Sequence, residues 1–180
     1  MKKLIILFVS FILSNNVFAG FVGAKVKVTG VTCSMCSNSV NKALSSLSFI
    51  DKIDVDLENA VFILSFKPGE KVVMDEIRKK VEGAGFSVGE LTADFAFDSL
   101  QVENDYHYTF ENNIYHFVGV KNQYLNKTVS LKFVDKGLTS SKEYKKYSNM
   151  TNLKCIKTGK PETCCNKVSA GYSRIYHVTL

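Results

Sequence analysis

The strongest constraint on the fold is a hydrophobic period that switches between strand-like and helix-like four times within residues 24–91. Ala24, Val26 and Val28 alternate with Lys25, Lys27 and Thr29, the two-residue repeat of a half-buried strand. Gly30 ends it. Val40, Ala43, Leu44 and Leu47 then recur at helical spacing and predict a helix from about Cys36 to Leu47. Ile53, Val55 and Leu57 alternate with acidic residues as a second strand, and Glu58-Asn59 makes a tight turn. Val61 to Phe66 is mostly apolar on both faces and reads as a central strand. Lys67-Pro68-Gly69-Glu70 is a loop signal. Val73, Ile77, Val81 and Ala84 mark a second helix that stops at Gly85, and Phe86 to Leu91 is a short last strand. This order is the split βαβ arrangement, ferredoxin-like and of the α+β class. Two helices would cover one face of a four-stranded antiparallel sheet, and the loop after the first strand would open into the first helix.

From about Asp94 the two-residue period takes over. Tyr106, Tyr108 and Phe110 alternate, as do Tyr115, Phe117 and Gly119, then Val129, Leu131 and Phe133, and finally Tyr176, Val178 and Leu180. Glu111-Asn112-Asn113 is a hairpin turn signal. Thr139 to Tyr147 predicts one short helix capped by Ser140 or Ser141. The expectation is a β-rich C-terminal domain over residues 93–180, of the OB barrel type, following a ferredoxin-like domain over residues 20–92. No Gly/Ser-rich linker separates the halves, so they are expected to pack together.

The chain opens with Met1-Lys2-Lys3, an apolar run from Leu4 to Leu13, a polar break at Ser14-Asn15-Asn16, and Val17-Phe18-Ala19. That is a secretory signal peptide over residues 1–19, cut after Ala19, rather than a membrane span. The apolar run is half the length a span needs. The expected location is periplasmic or secreted, with no membrane span in the mature chain. The formal net charge is +6. Residues 20–92 carry nine basic and nine acidic side chains and residues 93–180 twelve and eight. The excess therefore lies in the second half, scattered rather than striped, which argues against nucleic-acid binding.

All five cysteines, Cys33, Cys36, Cys155, Cys164 and Cys165, fall in the exported part. An odd number outside the cytoplasm leaves one thiol to cross-link, stay reduced or bind metal. In Gly30-Val31-Thr32-Cys33-Ser34-Met35-Cys36, two residues between the cysteines let both sulfurs face one point. The helix N-terminus favours their thiolates, and lower thiol pKa means less proton competition for an ion. Thiolates select soft ions, and two sulfurs suit linear or trigonal Cu(I) or Hg(II) better than four-coordinate structural Zn(II).

In these residues the chain resembles the heavy-metal-associated domain family, which includes copper chaperones, the N-terminal modules of copper ATPases and the periplasmic mercury-binding protein. The resemblance covers residues 24–91. The family motif Gly-Met-Thr-Cys-x-x-Cys reads Gly30-Val31-Thr32-Cys33-Ser34-Met35-Cys36 here, with Val31 in place of the usual Met as an apolar anchor under the loop. Thr32 matches copper- and mercury-type members, where zinc-type members tend to have Asp. Ala84-Gly85-Phe86 matches a family loop whose aromatic approaches the metal loop. The resemblance implies Cu(I) as the first choice of ion, with Hg(II) or Zn(II) as alternatives, held by Cys33 and Cys36, and a protein partner for metal transfer. A thiol–disulfide redox protein using the same cysteines is an alternative. It is opposed by the element order and by only two prolines, Pro68 and Pro161, neither placed as a thioredoxin fold requires. A disulfide-stapled structural or interaction module is a further alternative.

Cys155, Cys164 and Cys165 flank a Gly159–Pro161 loop. They are read either as one disulfide from Cys155 to Cys164 or Cys165, or as a second soft-metal cluster. His107, His116 and His177 sit in aromatic-rich strands and are not taken as site residues. No hydrolase elbow, HExxH or phosphate-cradling loop is present in the sequence, so the chain is not expected to be an enzyme.

Overall fold

The structure, a computed structural model, describes residues 19–161 and 174–180. Residues 1–18, where the signal peptide is expected, and Cys164 and Cys165 lie outside the described residues. Along the chain run β1 (Gly20–Thr29), α1 (Ser34–Ser45), β2 (Ile50–Asp56), β3 (Val61–Phe66), α2 (Met74–Gly83), β4 (Ser87–Val102), β5 (His107–Phe110), β6 (Asn113–Phe117), β7 (Gln123–Phe133), α3 (Ser141–Ser148), α4 (Cys155–Thr158) and β8 (Arg174–Thr179). The strands form one sheet in the order β2-β3-β1-β4-β7-β8-β6-β5.

The first four strands pair antiparallel as 2-3-1-4, as the period switches predict. α1 and α2 lay Val40, Leu44, Met74, Ile77 and Val81 on Val26, Val28, Phe62, Leu64 and Leu91, all essentially inaccessible to solvent. β3 departs from expectation. It is flanked on both sides, but Phe62, Leu64 and Phe66 are buried while Ile63 is 39% exposed, because the helices cover only one face.

The expected short last strand is in fact 16 residues long. β4 pairs with β1 from Ser87 to Ala96 and with β7 from Leu91 to Val102, so the boundary expected between residues 92 and 93 falls inside it. An irregularity between Phe97 and Leu100, with Ser99 at φ 47°, bends its far end. The second half therefore extends the first sheet. It curls enough for Phe21 on β1 to meet Phe110 on β5 (ring centroids 6.2 Å apart) and Tyr115 on β6 (5.5 Å). The OB-type barrel is not found among the described residues: β2 and β5 are the outer strands, and β6 and β8 pair in parallel, which no run of simple hairpins produces. α3 is capped by Ser140, whose hydroxyl accepts from the Glu143 N–H, one of the two expected caps.

A polar clasp also joins the halves. Arg174 at the start of β8 donates to Asp75 on α2 (3.0 Å) and lies 3.3 Å from the buried carboxylate of Asp135, its guanidinium resting over the Tyr176 ring. Among the described residues no helix is long and apolar enough to cross a membrane.

Candidate metal centre

β1 and β4 run side by side as far as Thr29 and Ser87, and the chain then leaves the sheet through Gly30. At φ +89° Gly30 occupies backbone space that a side chain disfavours. A Cβ there would lie 3.6 Å from the Phe86 ring, so the expected approach of Phe86 to the loop is present. Val31 is half-buried and packs against the core, filling the anchor position. Met35, by contrast, is 81% exposed and contributes nothing to the packing beneath the loop.

With Val31 anchored, Thr32, Cys33 and Ser34 stand exposed at the start of α1. Cys33 is the N-cap, and its sulfur accepts the Cys36 backbone N–H at 3.2 Å. The first turn contains no acidic residue, so nothing competes with a thiolate for the free N–H groups there. The two Sγ atoms are 2.6 Å apart. Cys33 is exposed and Cys36 half-buried, so the pair has one sulfur facing solvent and one set back against the helix.

The two thiols are not equivalent. Hydrogen bonds from the Cys36 thiol and then from the Cys36 backbone N–H lower the Cys33 pKa below its ordinary value. The Cys36 pKa is raised, first because its thiol is the donor in that bond and then because it is partly desolvated. Cys33 is therefore the more acidic thiol of the pair. An ion held between them would have to spread the sulfurs from 2.6 Å, since zinc–sulfur bonds, for scale, are about 2.3 Å each. Cys33 and Cys36 are thus brought together as the sequence predicts. Cys155 is the first residue of α4, buried against Ile114 and Ile175 of the second half, and its Sγ lies 3.7 Å from His116 Nδ1. The sequence reading passed over that contact.

Residues 25–87 match the heavy-metal-associated domain. The mercuric transport protein periplasmic component of Pseudomonas fluorescens is 30% identical over 86 residues, which is 48% of this chain and 93% of that protein. The copper-transporting ATPase 1 of Mus musculus is 34% identical over 68 residues, 38% of this chain but 4% of the ATPase. Among solved structures, oxidized MerP from Ralstonia metallidurans is 30% identical, covering 39% of this chain and 96% of that one, with a TM-score of 0.33. The yeast copper transporter domain Ccc2a is 28% identical, covering 37% and 90%, also with a TM-score of 0.33.

Proposed function

Because residues 25–87 place this chain in the heavy-metal-associated domain family, we propose that it is an exported protein that binds one soft metal ion, Cu(I) ahead of Hg(II) or Zn(II), between Cys33 and Cys36 and passes it to a protein partner. The observation that carries the reading is the paired sulfurs at an exposed helix start, one of them favoured as thiolate. An ion held by two sulfurs with solvent on the Cys33 side has room for a third thiolate. A partner's cysteine can therefore attack before either resident sulfur leaves, and transfer proceeds by stepwise ligand exchange. Thr32 in place of an acidic residue leaves the loop without the hard oxygen ligand that zinc favours more than Cu(I) does. The segment through Ala19 would direct the chain to the periplasm or outside the cell.

The test is anaerobic titration of the reduced protein with Cu(I) against a competing chelator. Replacing both cysteines, Cys33→Ser with Cys36→Ser, should lower the bound copper by one ion per chain. Unchanged stoichiometry would remove the site from this loop. The 2.6 Å approach of the sulfurs also favours a second reading, reversible thiol–disulfide exchange by the same pair. It predicts disulfide reductase activity that either single serine substitution abolishes.

A further inference from the structure

The second half holds a cluster that the loop chemistry does not use. His107, His116 and His177 lie on the adjacent strands β5, β6 and β8, and the register places them directly opposite one another, His107 against His116 and His116 against His177. They form a row across one sheet face. The alternation that sends Tyr108, Tyr115, Phe117 and Tyr176 into the main core sends the histidines to the other side. There Ile114, Ile175 and Leu153 pack around the buried Cys155. α4 carries Cys155 over the row, and its end is tied to β8 by the Ile175 N–H donating to the Gly159 carbonyl at 2.9 Å.

Each imidazole has one nitrogen committed to an oxygen acceptor. His107 Nδ1 donates to the Asp105 carbonyl (3.1 Å), His116 Nε2 to the Asp105 carboxylate (2.9 Å) and His177 Nδ1 to the Asp135 carboxylate (2.9 Å). A nitrogen facing such an acceptor carries the proton, so in the neutral ring the opposite nitrogen presents a lone pair. This is the arrangement by which proteins orient metal-ligating histidines. His116 Nδ1 meets Cys155 Sγ at 3.7 Å. One ligand atom from each of His107, His116 and Cys155 lies within 4.8 Å of the others. His177 is fully buried and its Nε2 has no hydrogen-bond partner among the described residues, with its ring 5.0 Å from that of His116. An unpaired buried nitrogen is destabilising, and ligation would give it the partner it lacks. Asp105, which serves two of the histidines, adopts a left-handed backbone (φ 63°), a conformation that residues other than glycine rarely take and that concentrates at functional sites.

We propose that His107, His116 and Cys155, with His177 beside them, form a second metal site for a borderline-soft transition ion, Zn(II) or copper, in mixed imidazole–thiolate coordination. Imidazole suits both ions and thiolate raises affinity for both. β4, β7 and β8 separate β1 from β6 in the sheet, four steps of about 4.8 Å, so this site is distinct from the Cys33 loop and does not depend on the reading of that loop. The His107 and His116 rings stack at 4.4 Å with their planes 6° apart, and a single ion cannot lie in both planes. Ligation therefore requires one ring to turn. His107, half-buried on the outer strand β5, has the room and marks the side from which an ion enters.

The experiment uses the chain with Cys33→Ser and Cys36→Ser, reduced and anaerobic, titrated separately with Zn(II), Cu(I) and Co(II). About one ion per chain should remain bound, the ion of higher affinity identifying the preferred metal. The Co(II) form should show a sulfur-to-metal charge-transfer band that Cys155→Ser removes. His107→Gln should abolish stoichiometric binding with little effect on the thermal midpoint of the apo protein. Asp105→Asn, which keeps a residue tolerant of the left-handed backbone, should weaken binding 10- to 100-fold. Absence of a bound ion overturns the proposal. So does binding that survives His107→Gln, binding that depends on Cys164 or Cys165 and not on His107, or a Cys155 disulfide found by non-reducing peptide mapping of the exported protein.

Discussion

If β4 makes one folding unit of the whole sheet, damage at its centre must be felt equally at both ends, and Leu91→Ala is the substitution that asks the question. Leu91 has no exposed surface and stands in register with Val26 on β1 and Phe133 on β7, both also fully buried. Its side chain therefore contributes to the packing of both halves. Removing three carbons forfeits about 2.4 kcal/mol of transfer free energy at about 0.8 kcal/mol each. The cavity, walled by paired strands that cannot collapse freely, brings the loss to about 3–4 kcal/mol. With a urea slope of about 2 kcal/mol/M the midpoint should fall by about 1.5–2 M. Two reporters separate the halves. All eight tyrosines lie between residues 106 and 176, so tyrosine fluorescence follows the second half, while amide hydrogen exchange in α1, α2 and β3 follows the first. Both should move by the same free energy. A tyrosine midpoint unchanged while α1 and α2 lose protection would show that the halves unfold separately and that the continuous sheet does not couple them.

Three further outcomes follow from named contacts. Cys36→Ala removes the thiol donor that lowers the Cys33 pKa, so the pH profile of Cys33 alkylation, followed by mass spectrometry, should move to higher pH. A profile that stays in place would assign the lowering to the helix start alone. Gly30→Ala meets no clash but must hold φ +89°, costing about 1–2 kcal/mol. Gly23→Ala would bring its Cβ to 2.7 Å from the Leu64 carbonyl oxygen and force β1 from β3, so it should lower the thermal midpoint further than Gly30→Ala. Arg174→Met leaves Asp135, 4% exposed at its side chain, and Asp75 without their shared cation. The loss should be about 3 kcal/mol by urea unfolding, and equal midpoints for the variant and the parent would show the clasp to be neutral.

The ferredoxin-like half was legible because each of its elements buries one face against one partner layer, and a single buried face writes its period directly into the sequence. Val26 and Val28 show it for β1, and Val40 and Leu44 for α1. β4 was not legible as one strand. Past Leu91 it passes from the helix-covered sheet to the aromatic core, and around the bend Phe95, Ala96 and Phe97 are buried in succession, which breaks the alternation that identifies a strand. The barrel expectation was not confirmed among the described residues, for a related reason. Alternation in Tyr115–Phe117 and Tyr176–Val178 reports that β6 and β8 are strands with one aromatic face, but nothing local reports that they pair in parallel.

The two cysteine groups differ in the same way. Cys33 and Cys36 were legible as a pair because their contact is local, three residues apart on one helical turn, and spacing alone brings the sulfurs together. Cys155 and His116 are 39 residues apart, and only the strand pairing puts them in contact. The sequence did carry one sign: Tyr115-His116-Phe117 and Tyr176-His177-Val178 are similar, each a Tyr-His pair followed by an apolar residue, and in paired strands of matching parity this sends both histidines to one face. The physical consequence is a division of labour between exposure and burial. An ion at Cys33 would meet solvent and an incoming thiolate, and so could leave as fast as a partner arrives. An ion among His107, His116 and Cys155 would sit behind Ile114 and Ile175, where exchange waits on movement of His107. If both sites fill, the loop should release its ion to a thiol competitor promptly and the buried site slowly, giving a two-phase chelation curve whose slow phase disappears in His107→Gln.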